Sequence, residues 1–195
     1  MPSFQMHLAV AKLYVQKNKG EITNEVDFFN GSVAPDLTDN KRKTHYSLDY
    51  VGDDLLSNLK NKIDLTQFFK LPLDNDFEKG VFLHLLTDYI FYNYYFPPEF
   101  LESTNYKDYT TNLYTGYDYT TDWLEKKYGT AKLPTTFHKQ MKQSIIDLQT
   151  KRPEILLKGK NILADTDKLE RFIDFVASLN LKNVKETQSF GVVNF

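Results

Sequence analysis

One stretch of the chain constrains the fold more than any other. From about Asp76 to Phe96 the residues are apolar nearly all round, and the run stops at Pro97-Pro98. A helix with so little polar face belongs at the centre of a fold, and a proline pair ends it sharply. Its apolar part, Gly80 to Phe96, holds His84, Thr87, Asp88 and Asn93, and it falls short of the roughly 20 residues a membrane-spanning helix needs. The rest of the molecule must therefore pack around a buried helix that carries a histidine and an aspartate.

Hydrophobic spacing predicts helix along most of the remaining chain. Ser3 is placed to cap a first helix that runs to about Lys17, with Gly20 as a stop. Phe4, Leu8, Ala11 and Val15 form its apolar stripe, with His7 and Tyr14 beside it. A second helix is expected from Thr23 to Asn30-Gly31. Gly31-Ser32-Val33-Ala34-Pro35-Asp36 then reads as a loop, because Pro35 biases Ala34 to an extended backbone. Residues 37–47 are polar and basic, 48–62 are undecided, and Asp64 caps a short turn of helix through Phe69. Further helices are expected over Tyr106–Tyr128, closed by Gly129; from a Thr135 or Thr136 cap to Thr150; and over Asp167–Leu179. The tail from Asn180 to Phe195 has room for a short strand. No repeat, linker or heptad run interrupts this pattern. The expectation is all-α: a single compact domain, residues 1–195, of about seven or eight helices.

Composition removes several function classes. The 195 residues carry 24 Lys plus Arg against 26 Asp plus Glu, a net charge of −2, which makes no electrostatic case for a nucleic-acid partner. Hydrophobic residues at 41% argue against disorder. There is no cysteine, which rules out disulfides, thiolate-bound zinc, iron–sulfur clusters and a thiol nucleophile. The N-terminal run lacks a basic n-region and is broken by His7 and Lys12, so it does not read as a secretory signal, and the expected location is the cytoplasm. With 13 tyrosines, many core side chains carry a hydroxyl that must find a partner.

The four histidines carry the functional argument. His84 and Asp88 are four apart, so a helix puts them on one face about a turn from each other. A buried charge is costly unless paired or coordinated. Two readings fit this pair: two ligands of one divalent metal, or a hydrogen-bonded pair inside a helical core. Asp36 follows Gly31 and Pro35 at the end of the expected loop, and taken alone a Pro-Asp is more often a turn or helix-cap aspartate. His45, in Thr44-His45-Tyr46, sits where a histidine is usually exposed. His7, beside an apolar stripe, also fits a satisfied core histidine. Jointly, three of the four histidines and two aspartates fall within the first 88 residues. Imidazole and carboxylate in this mix suit zinc or a similar borderline metal. Five donors exceed a closed mononuclear site and suit a dinuclear one with Asp36 or Asp88 bridging.

The order of these motifs resembles the zinc-dependent phospholipase C family and its single-strand nuclease relatives: an early histidine, then an aspartate, a histidine, and His-x-x-x-Asp on a central helix. The matching positions are His7, Asp36, His45, and His84 with Asp88, so the resemblance covers about the first half of the chain. The start Met-Pro-Ser-Phe-Gln-Met-His is similar to small bacterial members of that group. The resemblance implies an all-helical phospholipase C-like fold. It also implies that Asp36, His45, His84 and Asp88 hold a principal metal, that His7 joins Asp88 at a neighbouring one, and that water is activated against a phosphate mono- or diester. Lipid, nucleotide and small-metabolite esters all fit the same chemistry. Downstream the chain departs from the pattern: His138 is followed four residues later by Lys142, residue 1 is Met, and the only tryptophan is Trp123. One or two ions are therefore expected rather than three.

Asp118, flanked by Tyr117 and Tyr119, is the best later carboxylate for such a site, although a solvated helix face explains it and Asp122 as well. Tyr89 and Tyr92 either line a substrate pocket or belong to the core, as aromatic stripes at helical spacing usually do. Two other classes compete with this reading. His-Asp phosphohydrolases carry adjacent His-Asp, which this chain lacks. A non-catalytic helical domain would keep the metal or polar core for structure and use its surface for a partner.

Overall fold

The computed structural model describes residues 2–49, 54–60, 62–153, 159–193 and 195. Among them there are eleven α-helices and no strand. The six long ones are α1 (Phe4–Lys17), α2 (Glu25–Val33), α6 (Asp76–Ile90), α8 (Tyr106–Tyr128), α9 (His138–Lys151) and α10 (Thr166–Ala177). The short ones are α3 (Lys41–Thr44), α4 (Leu55–Lys60), α5 (Leu65–Phe68), α7 (Pro98–Glu102) and α11 (Leu181–Thr187). The count exceeds the expected seven or eight because all the short helices but α5 fall in segments that read as loop, undecided or tail. A helix of one or two turns holds too little hydrophobic pattern to be recognised from spacing. Its stability comes from caps and packing instead. The tail, which has room for a short strand, holds α11 instead, capped by the Asn180 side chain, which accepts from Asn183 N at 2.8 Å. Part of the undecided segment, residues 50–53 and 61, and Met1 lie outside the described residues.

Side-chain caps set most helix starts. Ser3 accepts from Met6 N at 3.2 Å, Asn75 from Glu78 N at 2.9 Å and Asn105 from Asp108 N at 2.9 Å, each satisfying a backbone donor that the first turn leaves free. Thr135 and Thr136 do not cap α9 as expected. Their hydroxyls and the Thr136 amide go to Asn30 Oδ1, at 2.8–3.2 Å, so α9 starts at His138 without a side-chain cap.

The centre of the molecule is the crossing of α2 and α6. The predicted loop Gly31-Ser32-Val33 is helical, and α2 continues through it. Gly31 is there for closeness rather than for a turn. A Cβ on it would lie 2.0 Å from the Phe77 carbonyl oxygen, and one on Gly80 would lie 2.2 Å from that of Phe28. Two glycines let the backbones touch. At its start, α6 is tied to α2 by Asp76, which accepts from Thr23 N, Thr23 Oγ1 and Asn24 N at 2.7–2.8 Å. Helix α1 is also buried well beyond its apolar stripe, with Met6, His7, Ala9 and Val10 all inside, because it packs against α2, α6, α8 and α10. Beyond Ile90 the α6 backbone widens into a π-helical turn, Phe91–Tyr95. Phe91 and Tyr95 stack there at 4.9 Å and meet Phe172 of α10 edge-on. No described helix is long and apolar enough to cross a membrane.

Candidate metal centre

The architecture delivers five side chains to one point. His7 comes from the second turn of α1, and His84 and Asp88 from successive turns of α6. Asp36 ends a single 3₁₀ turn, Ala34–Asp36, that follows α2 directly. His45 follows α3, which Asn40 caps. The Thr44 hydroxyl donates to the Pro35 carbonyl at 2.8 Å and so binds the His45 turn to the Asp36 turn. Tyr46 then reverses the chain with φ +52°, a left-handed backbone that non-glycine residues seldom adopt. Every one of the five is buried: His7 and His84 are 1% exposed, Asp36 and His45 3%, and Asp88 0%. His45 is thus not the exposed loop histidine its polar surroundings suggest.

The distances form one cluster. His7 Nε2 lies 3.3 Å from Asp88 Oδ1, His45 Nε2 lies 3.2 Å from Asp88 Oδ2 and 3.6 Å from Asp36 Oδ1, and His84 Nε2 lies 3.9 Å from Asp88 Oδ2. The His7 and His84 rings stack at 3.7 Å, while His45 meets His84 edge-on. Two overlapping triads share His84. In His7–Asp36–His84 and in His45–His84–Asp88, one donor atom per residue lies within 4.8 Å of the others.

The hydrogen bonds around the cluster decide what it can hold. His84 Nδ1 lies 2.8 Å from the Ser32 carbonyl, and His45 Nδ1 lies 2.8 Å from the Lys41 carbonyl. A carbonyl only accepts, so each Nδ1 carries the proton and donates it. In the neutral rings the Nε2 atoms are then lone pairs, and they face each other at 3.2 Å. Among the described residues, both Asp88 oxygens and both His7 nitrogens lack an aligned hydrogen-bond partner. With the rings neutral the interior holds more acceptors than protons, and a metal cation would supply what is missing. Imidazoles fixed through Nδ1 to backbone carbonyls, with Nε2 turned inward, are the usual outer arrangement of metal-binding histidines.

Electrostatics agree. Burial, with His7 and His45 nearby, pushes His84 down to about 3, so it is neutral near pH 7. Burial also pushes His45 down, but Asp88 and Asp36 outweigh it and hold that imidazole above its ordinary value. Asp88 is driven up by burial and brought well below the carboxylate range by the histidines around it. Burial raises Asp36 too, while His84, Lys41 and His45 bring it down. Lys41 Nζ lies 3.3 Å from Asp36 Oδ1.

The remaining sequence candidates fall elsewhere. Asp118 is exposed on α8 and does not reach the five, and Asp122 is exposed one turn on. His138 is exposed, with Nε2 3.0 Å from the Leu133 carbonyl. Tyr89 is half-buried against Tyr94 and Phe190 and lines no part of the large cleft. Tyr92 is 2% exposed and lies within electrostatic reach of Asp88 and Asp36. Lys41 and Tyr109 carry no motif in the sequence, and Tyr117 enters there only as a neighbour of Asp118; the one signal for the two tyrosines is the spacing Tyr109-x-x-x-Leu113-x-x-x-Tyr117, one face of a helix. A cleft of about 850 Å³ opens between α8, α9 and the chain around Leu37–Lys41. Lys41, which pairs with Asp36, forms part of its wall, as do Tyr114, Tyr117 and Asp118.

The fold and site together define an all-α domain with a buried His₃Asp₂ cluster able to hold a metal ion. No family model, curated protein or solved structure matches this chain.

Proposed function

We propose that this chain is a metal-dependent hydrolase of phosphate esters, holding one or two divalent ions of the zinc type with His7, Asp36, His45, His84 and Asp88. The observation that carries the reading is the acceptor excess: inward-facing Nε2 atoms of His45 and His84 at 3.2 Å, beside an Asp88 carboxylate without a hydrogen bond. The donor set suits zinc rather than magnesium or calcium, which favour all-oxygen sites. When bound, such an ion supplies Lewis acidity and lowers the pKa of water.

The protein's own groups have separate tasks. The Ser32 and Lys41 carbonyls orient two imidazoles. Lys41 offsets the charge of Asp36 at the cleft wall, where an anionic ester would approach. The ordered likeness to the zinc-dependent phospholipase C family supports phosphate esters over other esters. The cleft takes a small-molecule or lipid ester rather than a polynucleotide, because the chain has no basic excess.

A second reading is favoured by the burial of all five donors, none more than 3% exposed. A closed site of this kind fits a structural metal in a non-catalytic domain. Elemental analysis, followed by turnover of a chromogenic phosphodiester with and without chelator, separates the two. Stoichiometric metal with chelator-sensitive turnover supports the hydrolase. Stoichiometric metal without turnover across a panel of phosphate mono- and diesters supports the structural role. A chain that takes up no metal refutes both.

A further inference from the structure

Buried tyrosine hydroxyls are almost always paired, and Tyr14 obeys the rule by donating to Glu21 Oε2 at 2.6 Å. Two do not. Tyr92 and Tyr109, each 2% exposed, have hydroxyls without a partner. Tyr92 sits four residues beyond Asp88, in the π-helical turn that prolongs α6. Such turns interrupt helices mainly at functional sites. Asp88 is within electrostatic reach of both phenols. Two unpaired donors therefore stand within electrostatic reach of the cluster, and a molecule that brings acceptor oxygens to a cation held there satisfies them.

The geometry points to Tyr92 and Tyr109 as hydrogen-bond donors to an oxyanion of the phosphoryl type seated at the His/Asp cluster, an inference that rests on the metal reading above. Three features favour an oxyanion over a phenolate ligand or a lone water. Burial and the neighbouring carboxylates push both phenols far up, so they stay protonated and can only donate usefully. Two unpaired donors in the neighbourhood of a cation match a group with several acceptor oxygens. The third feature is the neighbouring cleft. Tyr117, within electrostatic reach of Tyr92 and Tyr109, lines the cleft together with Tyr114, and the two rings pack edge-on at 5.7 Å.

The test uses the full chain loaded with zinc, the variants Tyr92→Phe, Tyr109→Phe and the double variant, and inorganic phosphate as the probe in titration calorimetry. Zinc stoichiometry should be unchanged in all three. Phosphate affinity should fall about tenfold for each hydroxyl lost. The metal-free variants should melt at or above the wild-type temperature, because each has lost an unpaired buried hydroxyl. Unchanged phosphate affinity in the double variant, no phosphate binding by the zinc-loaded wild type, or metal-free variants that melt several degrees lower would each overturn the inference and leave the metal reading standing. A wild-type chain that takes up no zinc overturns both.

Discussion

At the scale of single residues, the cluster separates what a local pattern reveals from what it hides. His84 and Asp88 were legible because a histidine and an aspartate one turn apart in an apolar helix need a common explanation. His45 was not, since nothing in Lys43-Thr44-His45-Tyr46 says that its side chain is covered. That burial is made by the Thr44–Pro35 hydrogen bond and by the reversal at Tyr46, both of which depend on partners outside any short window. The ligand assignment has a direct check. His84→Ala and Asp88→Ala should each reduce metal uptake to below a tenth of stoichiometric, since outer-contact losses alone already cost about 10–100-fold, whereas His138→Ala should leave uptake unchanged. Equal loss of metal in His138→Ala and His84→Ala, read by elemental analysis, would mean the ligand set is wrong.

At the scale of elements, the α2–α6 crossing positions the site, for it sets the Ser32 carbonyl against His84 and launches the Asp36 turn. Gly80→Ala puts a Cβ 2.2 Å from a backbone oxygen. Backbone cannot step aside as a flexible side chain does, so a loss of roughly 3 kcal/mol is expected, seen as a lower denaturant midpoint at unchanged slope. The same junction carries a pH signature. Burial pushes the Asp76 carboxyl up, but Lys79 and the donors of Thr23 and Asn24 outweigh it and hold it at about 2. Its unfolded value is about 4. A depressed carboxylate contributes stability that is complete above the unfolded pKa and is lost as pH falls through the folded one. Asp76→Asn should therefore be about 2 kcal/mol less stable near neutrality, and the gap to wild type should close between about pH 4 and pH 2. Melting temperatures of both proteins across that range provide the measurement, and a constant gap would contradict it. Helix α2 also shows why glycine misled the reading: the residue that ends a helix in a turn is the one that permits a close crossing, and only the opposing Phe77 and Gly80 tell the two uses apart.

For the whole molecule, five ligands drawn from α1, the Asp36 turn, the His45 turn and α6 make metal binding a cross-link between distant parts of the chain. Binding of the native state alone stabilises by about 2.7 kcal/mol at a hundredfold excess over Kd. In a domain of this size that corresponds to roughly 5–10 °C in Tm. Chelation should lower the melting temperature by that amount and zinc should restore it. An unchanged melting curve after verified metal removal would show that the cluster is not coupled to folding. Spacing and caps determined by themselves that the chain is all-α, where its six long helices run to within a few residues, and that the most buried of them carries His84 and Asp88 on one face, because these properties depend on neighbours three or four residues apart. Only the tertiary structure decided that His7, Asp36 and His45 turn inward to meet them, that Asp118 and His138 remain in solvent, and that two tyrosine hydroxyls are left without partners. Burial belongs to the packing of segments far apart in the chain, and no local pattern records which segment will lie over which.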